Sequence, residues 1–432
     1  MNVAVLGLWH LGSVTAACLT HAGHDVAGWD PDDTVLARLA EGRAPVAEPG
    51  LDALLTQGLA ARCLRFTPAV ADAVRDADVV WIAFDTPVDD EDRADVEAVI
   101  GNVRAALPDI RDGSLVVCSS QLPVGSVARL EREYAALSTG RTVGFACSPE
   151  NLRLGKAIQV FTQPDRIVAG VRNEADRARF TALMAPITDR IVWMSVESAE
   201  MTKHAINAFL ATSVAFINEL ASLCEAAGAD AKDVERGLKS DQRIGPGAYL
   251  SPGAAFAGGT LARDLALIES RAQALGVSTP LVRGVRRSNR EHSQWAYRVL
   301  AKTLGPIAGR HVAVWGLTYK AGTDTLRRSL SVDLCRVLAN EGARVTAFDP
   351  AVRSLPAELS GVLALGADPL ATAAGADAVV IGTGWAALRE ISADVFVRTV
   401  ARPIVIDPDR YLAATIGADP RVHYVAVGTP RT

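Results

Sequence analysis

The sequence predicts an α/β protein of two doubly wound domains joined by a long central helix, and three observations carry that expectation. The first is the opening run "VAVLGLWHLGSVTAACLTHAGHDVAGWDP", which reads as strand, glycine turn, helix and strand. The second is a looser echo near the C-terminus, "VAVWGLTYKAG…SLSVDLCRVLANEGARVTAFDP". Both runs open on VAV-x-GL and close on a hydrophobic strand ending in Asp-Pro, so a βαβ unit is duplicated within the chain. The third is "SAEMTKHAINAFLATSVAFINELASLCEAAG", a long helical pattern that stops at Gly228, where glycine serves as a C-cap.

The remaining elements fit two Rossmann-like domains. Buried strands are expected at 78–84, 114–120, 142–148 and 166–170 in the first, and at 377–383 and 403–407 in the second. Between them lies a helical stretch from 198 to 304, whose long helix is a natural spine and dimer contact. The chain is 432 residues long with 49% apolar and 22% charged residues, an ordinary globular balance with ample core. A net charge of −5 offers no broad basic surface, so DNA and RNA are not expected partners, and an anionic ligand needs a local basic cluster. Apolar runs such as "ADVVWIAF" are too short to span a bilayer, and "MNVAVLG" begins in a strand rather than a signal peptide. The six cysteines (18, 63, 118, 147, 224, 335) lack metal spacing, so no metal is expected; they read as reduced thiols of a cytoplasmic protein. Only six of the 44 basic residues are lysine, so an arginine in place of a lysine carries little weight.

The turn "GLWHLG" keeps Gly7 and Gly12, the first and third glycines of G-x-G-x-x-G, with Trp9 in the middle. The first glycine makes the tight turn and the third lets helix pack on strand. The middle one lets the backbone approach a pyrophosphate at the helix N-terminus. Asp30 closes the second strand, where an acid accepts from a ribose 2′-OH and favours NAD over NADP. For the site to work, Trp9 must point away from the pyrophosphate. Further along, "AFAGGTLARDL" places Thr260 as a helix N-cap and Asp264 one turn inside it.

Nine segments in order now carry a resemblance. They are "GLWHLG", "DTPVDD", "SSQLPVGS" (119–126), "SPENLRLGKAI" (148–158), "QPDRIVAG", "AEMTKHAINAFLA" (199–211), "DQRIG" (241–245), "FAGGTLARD" (256–264) and "GLTYKAGTDTLRRS" (316–329). Over essentially the full chain the sequence resembles the UDP-glucose/GDP-mannose dehydrogenase family of nucleotide-sugar dehydrogenases. That resemblance implies an NAD-binding Rossmann-like domain at 1–195, a central helical and dimerisation domain at 196–304, and a nucleotide-sugar-binding Rossmann-like domain at 305–432.

Residue by residue, it implies the following. Lys203 and Asn207 match the family's substrate-facing pair, four apart and on one helix face; the ammonium stabilises negative charge developing on the sugar oxygen. Asp264 matches the acid that orients a water or assists proton transfer, and Glu150 the first glutamate of P-E-F-L-x-E. Gly7, Trp9, Leu11, Gly12, Asp30, Thr86, Ser120 and Arg327 fall at cofactor positions. Tyr249 and Leu250 lie where the family packs against the nucleotide base, Gly258 falls at a substrate position, and Lys320 matches a diphosphate contact. Arg243 matches an arginine that reaches the neighbouring subunit's substrate, which implies a homodimer or a dimer-based oligomer. Without the match, the Arg and Lys residues default to surface charge and Asp264 to a first-turn acid favoured by the helix dipole.

The chain departs from the family at the chemistry of the second oxidation. Position 260, the family's catalytic cysteine, is Thr260; the second glutamate of P-E-F-L-x-E is Leu154; the threonine of S-T-V-P is Gln121. Oxidation of CH2OH to an aldehyde needs NAD, a proton acceptor and an oxyanion stabiliser, all retained. Oxidation onward to the acid uses a thiolate, a thioester and a positioned water. Thr260, with no activating base visible in the sequence, is a poor substitute, and Cys147 beside "SPE" reads as strand-end packing rather than a relocated nucleophile. Three functions follow in rank: a nucleotide-sugar oxidoreductase that stops at the aldehyde or is redox-neutral; a full four-electron 6-dehydrogenase without a thioester; a non-catalytic nucleotide-sugar or NAD binder.

Overall fold

The computed structural model describes residues 1–89, 94–137, 140–257 and 259–430. The chain divides into two compact units, one of Met1–Ile206 with Gln273–Leu275, the other of Asn207–Ala272 with Gly276–Thr432.

The first unit is built on eight strands: β1 (Asn2–Leu6), β2 (Asp25–Trp29), β3 (Leu64–Phe66), β4 (Val79–Ile82), β5 (Leu115–Cys118), β6 (Gly144–Cys147), β7 (Ile167–Val171) and β8 (Ile191–Met194). Their order in the sheet is β3-β2-β1-β4-β5-β6-β7-β8. Every pairing is parallel except β6 with β7. The sheet is doubly wound, as expected, and the chain reverses its direction of travel across the sheet between β3 and β4. In doubly wound sheets such a switch point, here between β1 and β4, is where ligands bind beyond the carboxyl ends of the strands. Alternate residues feed alternate faces. Val3, Val5, Val79 and Val117 pack on one side, and Ala4, Leu6, Val80 and Val116 on the other. Central strands buried on both faces are why "VAVL" and "VVWI" read as continuous apolar runs.

The second unit repeats the plan with six parallel strands: β9 (His311–Trp315), β10 (Arg344–Phe348), β11 (Ala364–Leu365), β12 (Ala378–Ile381), β13 (Ile404–Ile406) and β14 (His423–Val425). Their order is β11-β10-β9-β12-β13-β14. The same unit holds the helices Ala231–Ser240, Pro280–Ser293 and Trp295–Leu304, and the helix Thr260–Ala274 as far as Ala272. Leu265 and Val285 pack there with Ala211 and Ala215 of the long helix.

The long helix runs Val196–Ala227 and ends before Gly228, whose φ of +78° is the left-handed turn a glycine supplies. It is long and apolar enough to cross a membrane by length and composition alone. Near its start the buried polar residues Glu200, Lys203, His204 and Asn207 each have a protein partner.

Candidate active site

The glycine turn is shaped by steric need. Gly7 has φ +87°, and a Cβ there would lie 2.6 Å from the Phe84 ring. A Cβ on Gly12 would come within 1.6 Å of the Gly7 carbonyl oxygen, so helix and strand pack this closely only with glycine. The helix His10–His21 begins immediately after Trp9, which occupies the N-cap position without a side-chain capping bond. The indole is 47% exposed rather than buried in the turn. The first-turn N–H groups therefore lack a side-chain cap and suit an anion. Leu11 is buried in the core, so its backbone N–H is what it can offer a ligand.

Asp30 does more than its sequence position suggests. Its carboxylate accepts the Leu8 N–H at 2.6 Å and the Asp32 N–H at 2.9 Å. It braces the turn, and a carboxylate with about four lone-pair sites keeps capacity for a ribose hydroxyl. In the second unit Asp349 stands at the matching place but is only 3% exposed. It accepts from the Leu317 and Thr318 N–H groups, the Thr318 hydroxyl and the Trp385 indole N–H. The helix that follows Gly316 starts only at Leu330. The second turn thus keeps the fold of the first without its open acid or its adjoining helix start.

A second site in the first unit lies around Lys203. Cys118, Ser120, Gln121, Cys147, Glu150 and Lys203 line a small cavity. Lys203 Nζ donates to the Glu150 carbonyl oxygen at 2.7 Å and pairs with its carboxylate at 3.2 Å. Glu150 also accepts the Leu152 N–H at 2.8 Å. The segment 119–126 is fastened to the long helix by two residues not anticipated from sequence. Glu200 accepts the Gly125 and Val127 N–H groups at 2.6 and 2.9 Å, and the His204 ring bonds the Leu122 carbonyl at 2.9 Å. Burial raises the Glu200 pKa against those donors. The signal was present as spacing: 200, 203, 204 and 207 are polar positions on one face of the helix. Thr86 donates its hydroxyl to the Gln121 carbonyl at 2.7 Å, and Ser120 Oγ is buried with no hydrogen-bond partner among the described residues. Burial pushes the Cys118 thiol up to about 12 and the Cys147 thiol well above its ordinary value. Both remain protonated thiols at neutral pH.

In the second unit Asn207 donates its amide to the Asp264 carboxylate, and Asp264 is wholly buried. The helix bearing Asp264 begins at Thr260 itself, so Thr260 is its first residue rather than its N-cap; the hydroxyl of this residue stands at an exposed position. Gly258 lies outside the described residues. A cavity of about 580 Å³ is lined by Tyr249, Leu250, Phe256 and Lys320, together with Lys232 and Lys239. The last two flank Glu235 at 2.6 and 2.7 Å, and Ser251 donates to the same carboxylate at 2.7 Å. Burial raises the Glu235 pKa, but these donors outweigh it and bring it down to about 2. The segment 253–256 is held by Asn218, His292 and Asn289, which bond Gly253 and Phe256. Arg243 is not among the lining residues; its side chain is 89% exposed and pairs with Asp241. Arg327 is exposed on the segment that leads to the helix at Leu330.

Three family models match the chain in order. They describe the NAD binding domain at residues 1–188, the central domain at 197–291 and the UDP binding domain at 313–414 of the UDP-glucose/GDP-mannose dehydrogenase family. A UDP-glucose 6-dehydrogenase of Pseudomonas aeruginosa is 34% identical, covering 100% of this chain and 98% of its own. The chain belongs to the UDP-glucose/GDP-mannose dehydrogenase family. A UDP-glucose 6-dehydrogenase of Rhizobium meliloti is also 34% identical, with 100% of both chains covered. Among solved structures, a UDP-glucose dehydrogenase from Pyrobaculum islandicum superposes with a TM-score of 0.86 at 31% identity, covering 94% of this chain and 93% of that one. A UDP-D-ManNAc dehydrogenase from Pyrococcus horikoshii gives 0.86 at 25% identity over 99% of each.

As a member of this family, the protein is an NAD-dependent oxidoreductase acting on a CH–OH group of a nucleotide sugar. The first-unit turn fits the cofactor. It offers an uncapped helix start suited to a diphosphate, a glycine pair that shapes the turn, and Asp30 with acceptor capacity left at its edge.

Proposed function

We propose that the protein oxidises a hydroxyl of a nucleotide sugar with NAD and passes through at most one net hydride, either releasing an aldehyde or restoring the hydroxyl in a redox-neutral reaction. The observation that carries this reading is Thr260, a hydroxyl at the start of its helix where the family resemblance expects a thiolate. Cys118 and Cys147 do not replace it, because burial keeps both thiols protonated. The nicotinamide, when bound, supplies the hydride acceptor. Lys203, held by Glu150, stabilises the alkoxide that forms as the hydroxyl proton leaves. Asp264, oriented by Asn207, takes part in moving that proton through water. Ser120 and Thr86 serve the cofactor. Tyr249, Leu250, Gly258 and Lys320 serve the nucleotide sugar, with Lys232 and Lys239 adding positive charge to the cavity wall for a diphosphate.

A second reading is full oxidation to the sugar acid through the aldehyde hydrate. It is favoured by relatives named UDP-glucose 6-dehydrogenases that match over the full chain. NADH formed per sugar consumed, with mass spectrometry of the product, separates the two. One NADH or none with aldehyde or isomer supports the first reading, and two with a carboxylate overturns it. Under the first reading Thr260→Cys alone does not restore acid formation, because Leu154 and Gln121 still leave hydrolysis unsupported. A non-catalytic binder ranks third, since it has no use for a buried lysine held by a glutamate.

The assembly we propose is a cytoplasmic homodimer through the long helix. Phe209, Phe216 and Leu223 stand exposed at seven-residue intervals, an apolar seam of the kind two helices share. Sedimentation showing a monomer at micromolar concentration contradicts it.

A further inference from the structure

We propose that Glu48 is a positioning residue that couples the cofactor turn to the segment carrying Glu150, so that binding of the dinucleotide and the placement of Lys203 are linked through His10. The carboxylate has a side-chain exposure of 1%, and a buried charge is tolerated only when its lone pairs are filled. Three donors fill them. The His10 ring Nε2 lies 3.0 Å away, and the Gly155 and Ala157 N–H groups lie at 2.8 and 2.9 Å.

The partners explain the assignment. His10 is the first residue of the helix whose N-terminus receives the cofactor diphosphate, so fixing its ring fixes the first turn of that helix. Gly155 and Ala157 close the stretch that begins at Glu150, and Glu150 in turn accepts from Lys203 Nζ. Hydrogen bonds therefore run His10–Glu48–Gly155/Ala157, the covalent backbone continues to Glu150, and a further hydrogen bond joins Glu150 to Lys203. All of it lies within the first unit. If packing alone were at stake, an apolar side chain would fill the space without the penalty of a buried charge.

The test uses NAD with the full-length protein and needs no sugar substrate. His10→Ala and Glu48→Gln are expected to weaken NAD binding in calorimetry by about tenfold, the scale of one charge-assisted hydrogen bond. His10→Gln, which keeps an N–H donor at a similar reach, restores most of that affinity. Hydrogen–deuterium exchange reads the coupling directly. Saturating NAD slows exchange at Gly155 and Ala157 in the wild type, and that protection is lost in His10→Ala. Should Glu48→Gln fail to fold, the two His10 variants still decide the matter. Unchanged NAD affinity in His10→Ala, or equal protection of the Gly155 and Ala157 amides in wild type and His10→Ala, overturns the proposal and leaves the pair a structural strut.

Discussion

Asn207 donates its side-chain amide to the carboxylate of Asp264, joining the long helix to the helix that begins at Thr260. Asp264 has no exposed surface, so each donor it loses leaves part of a buried charge unsatisfied. Asn207→Ala is expected to destabilise the protein by roughly 1–3 kcal/mol, measured by urea unfolding. Asn207→Asp is expected to be worse, because it sets a second carboxylate against the first. A loss below about 0.5 kcal/mol for both would mean that the pair contributes nothing to folding.

Lys203 is predicted to act on turnover rather than on cofactor binding. Lys203→Ala is expected to lower turnover about a hundredfold or more, the scale of losing an oxyanion stabiliser. NAD affinity in calorimetry is expected to stay within about threefold, under 1 kcal/mol. Unchanged turnover removes Lys203 from the chemistry.

Asp30 has two duties, and one substitution separates them. Asp30→Asn removes the charge that repels a 2′-phosphate but keeps an oxygen for the Leu8 N–H. The preference for NAD over NADP is expected to narrow, while the melting temperature falls less than in Asp30→Ala because only the Asp32 N–H loses its acceptor. Asp30→Ala is expected to lose both. Calorimetry with each dinucleotide, beside thermal melts, reads the difference, and an unaltered preference in Asp30→Asn counts against the ribose role.

Glu235 gives the protein an acid-sensitive element. Its folded pKa, about 2, lies below the ordinary 4.5, so in that interval the unfolded chain binds the extra proton. Stability from this group is fully present above about pH 4.5 and is lost as pH falls toward 2. Lys232 is 40% exposed, so screening trims the contribution to on the order of 2 kcal/mol. Glu235→Gln is expected to lower stability at pH 7 and to flatten its fall between pH 4.5 and 2. Parallel acid limbs for the two proteins would contradict this.

Much of the architecture was legible because it is written in local patterns. Doubly buried parallel strands read as apolar runs, and Gly7, Gly12 and Gly228 mark backbone geometry that other residues resist. The short outer strands β3, β8, β11 and β14 were not anticipated. Two to four residues of strand at a sheet edge carry too little periodicity to read. The duplicated βαβ pattern was legible too, yet it hid a difference that only contacts reveal. Asp30 and Asp349 end similar strands, but Asp349 is enclosed by Thr318 and Trp385, which come from distant stretches of sequence. The same holds for Glu48, Glu200 and Glu235. Each looks like a solvated acid in sequence and is a buried acceptor in the fold; the donors of Glu48 and Glu200 lie on other elements, and Glu235 adds Ser251 to the two lysines of its own helix.

The scarcity of lysine has a practical consequence. Three of the chain's six lysines, Lys232, Lys239 and Lys320, line one cavity, and a fourth, Lys203, lines the other. Reductive methylation with carbon-13 formaldehyde would therefore yield a very sparse NMR spectrum: six side-chain signals and that of the terminal amine. Four of the six would report from the two candidate sites, and Lys156 from the stretch between Gly155 and Ala157, leaving Lys302 as an internal reference. In most proteins of this size lysine labelling illuminates the whole surface; here it comes close to a site-directed probe.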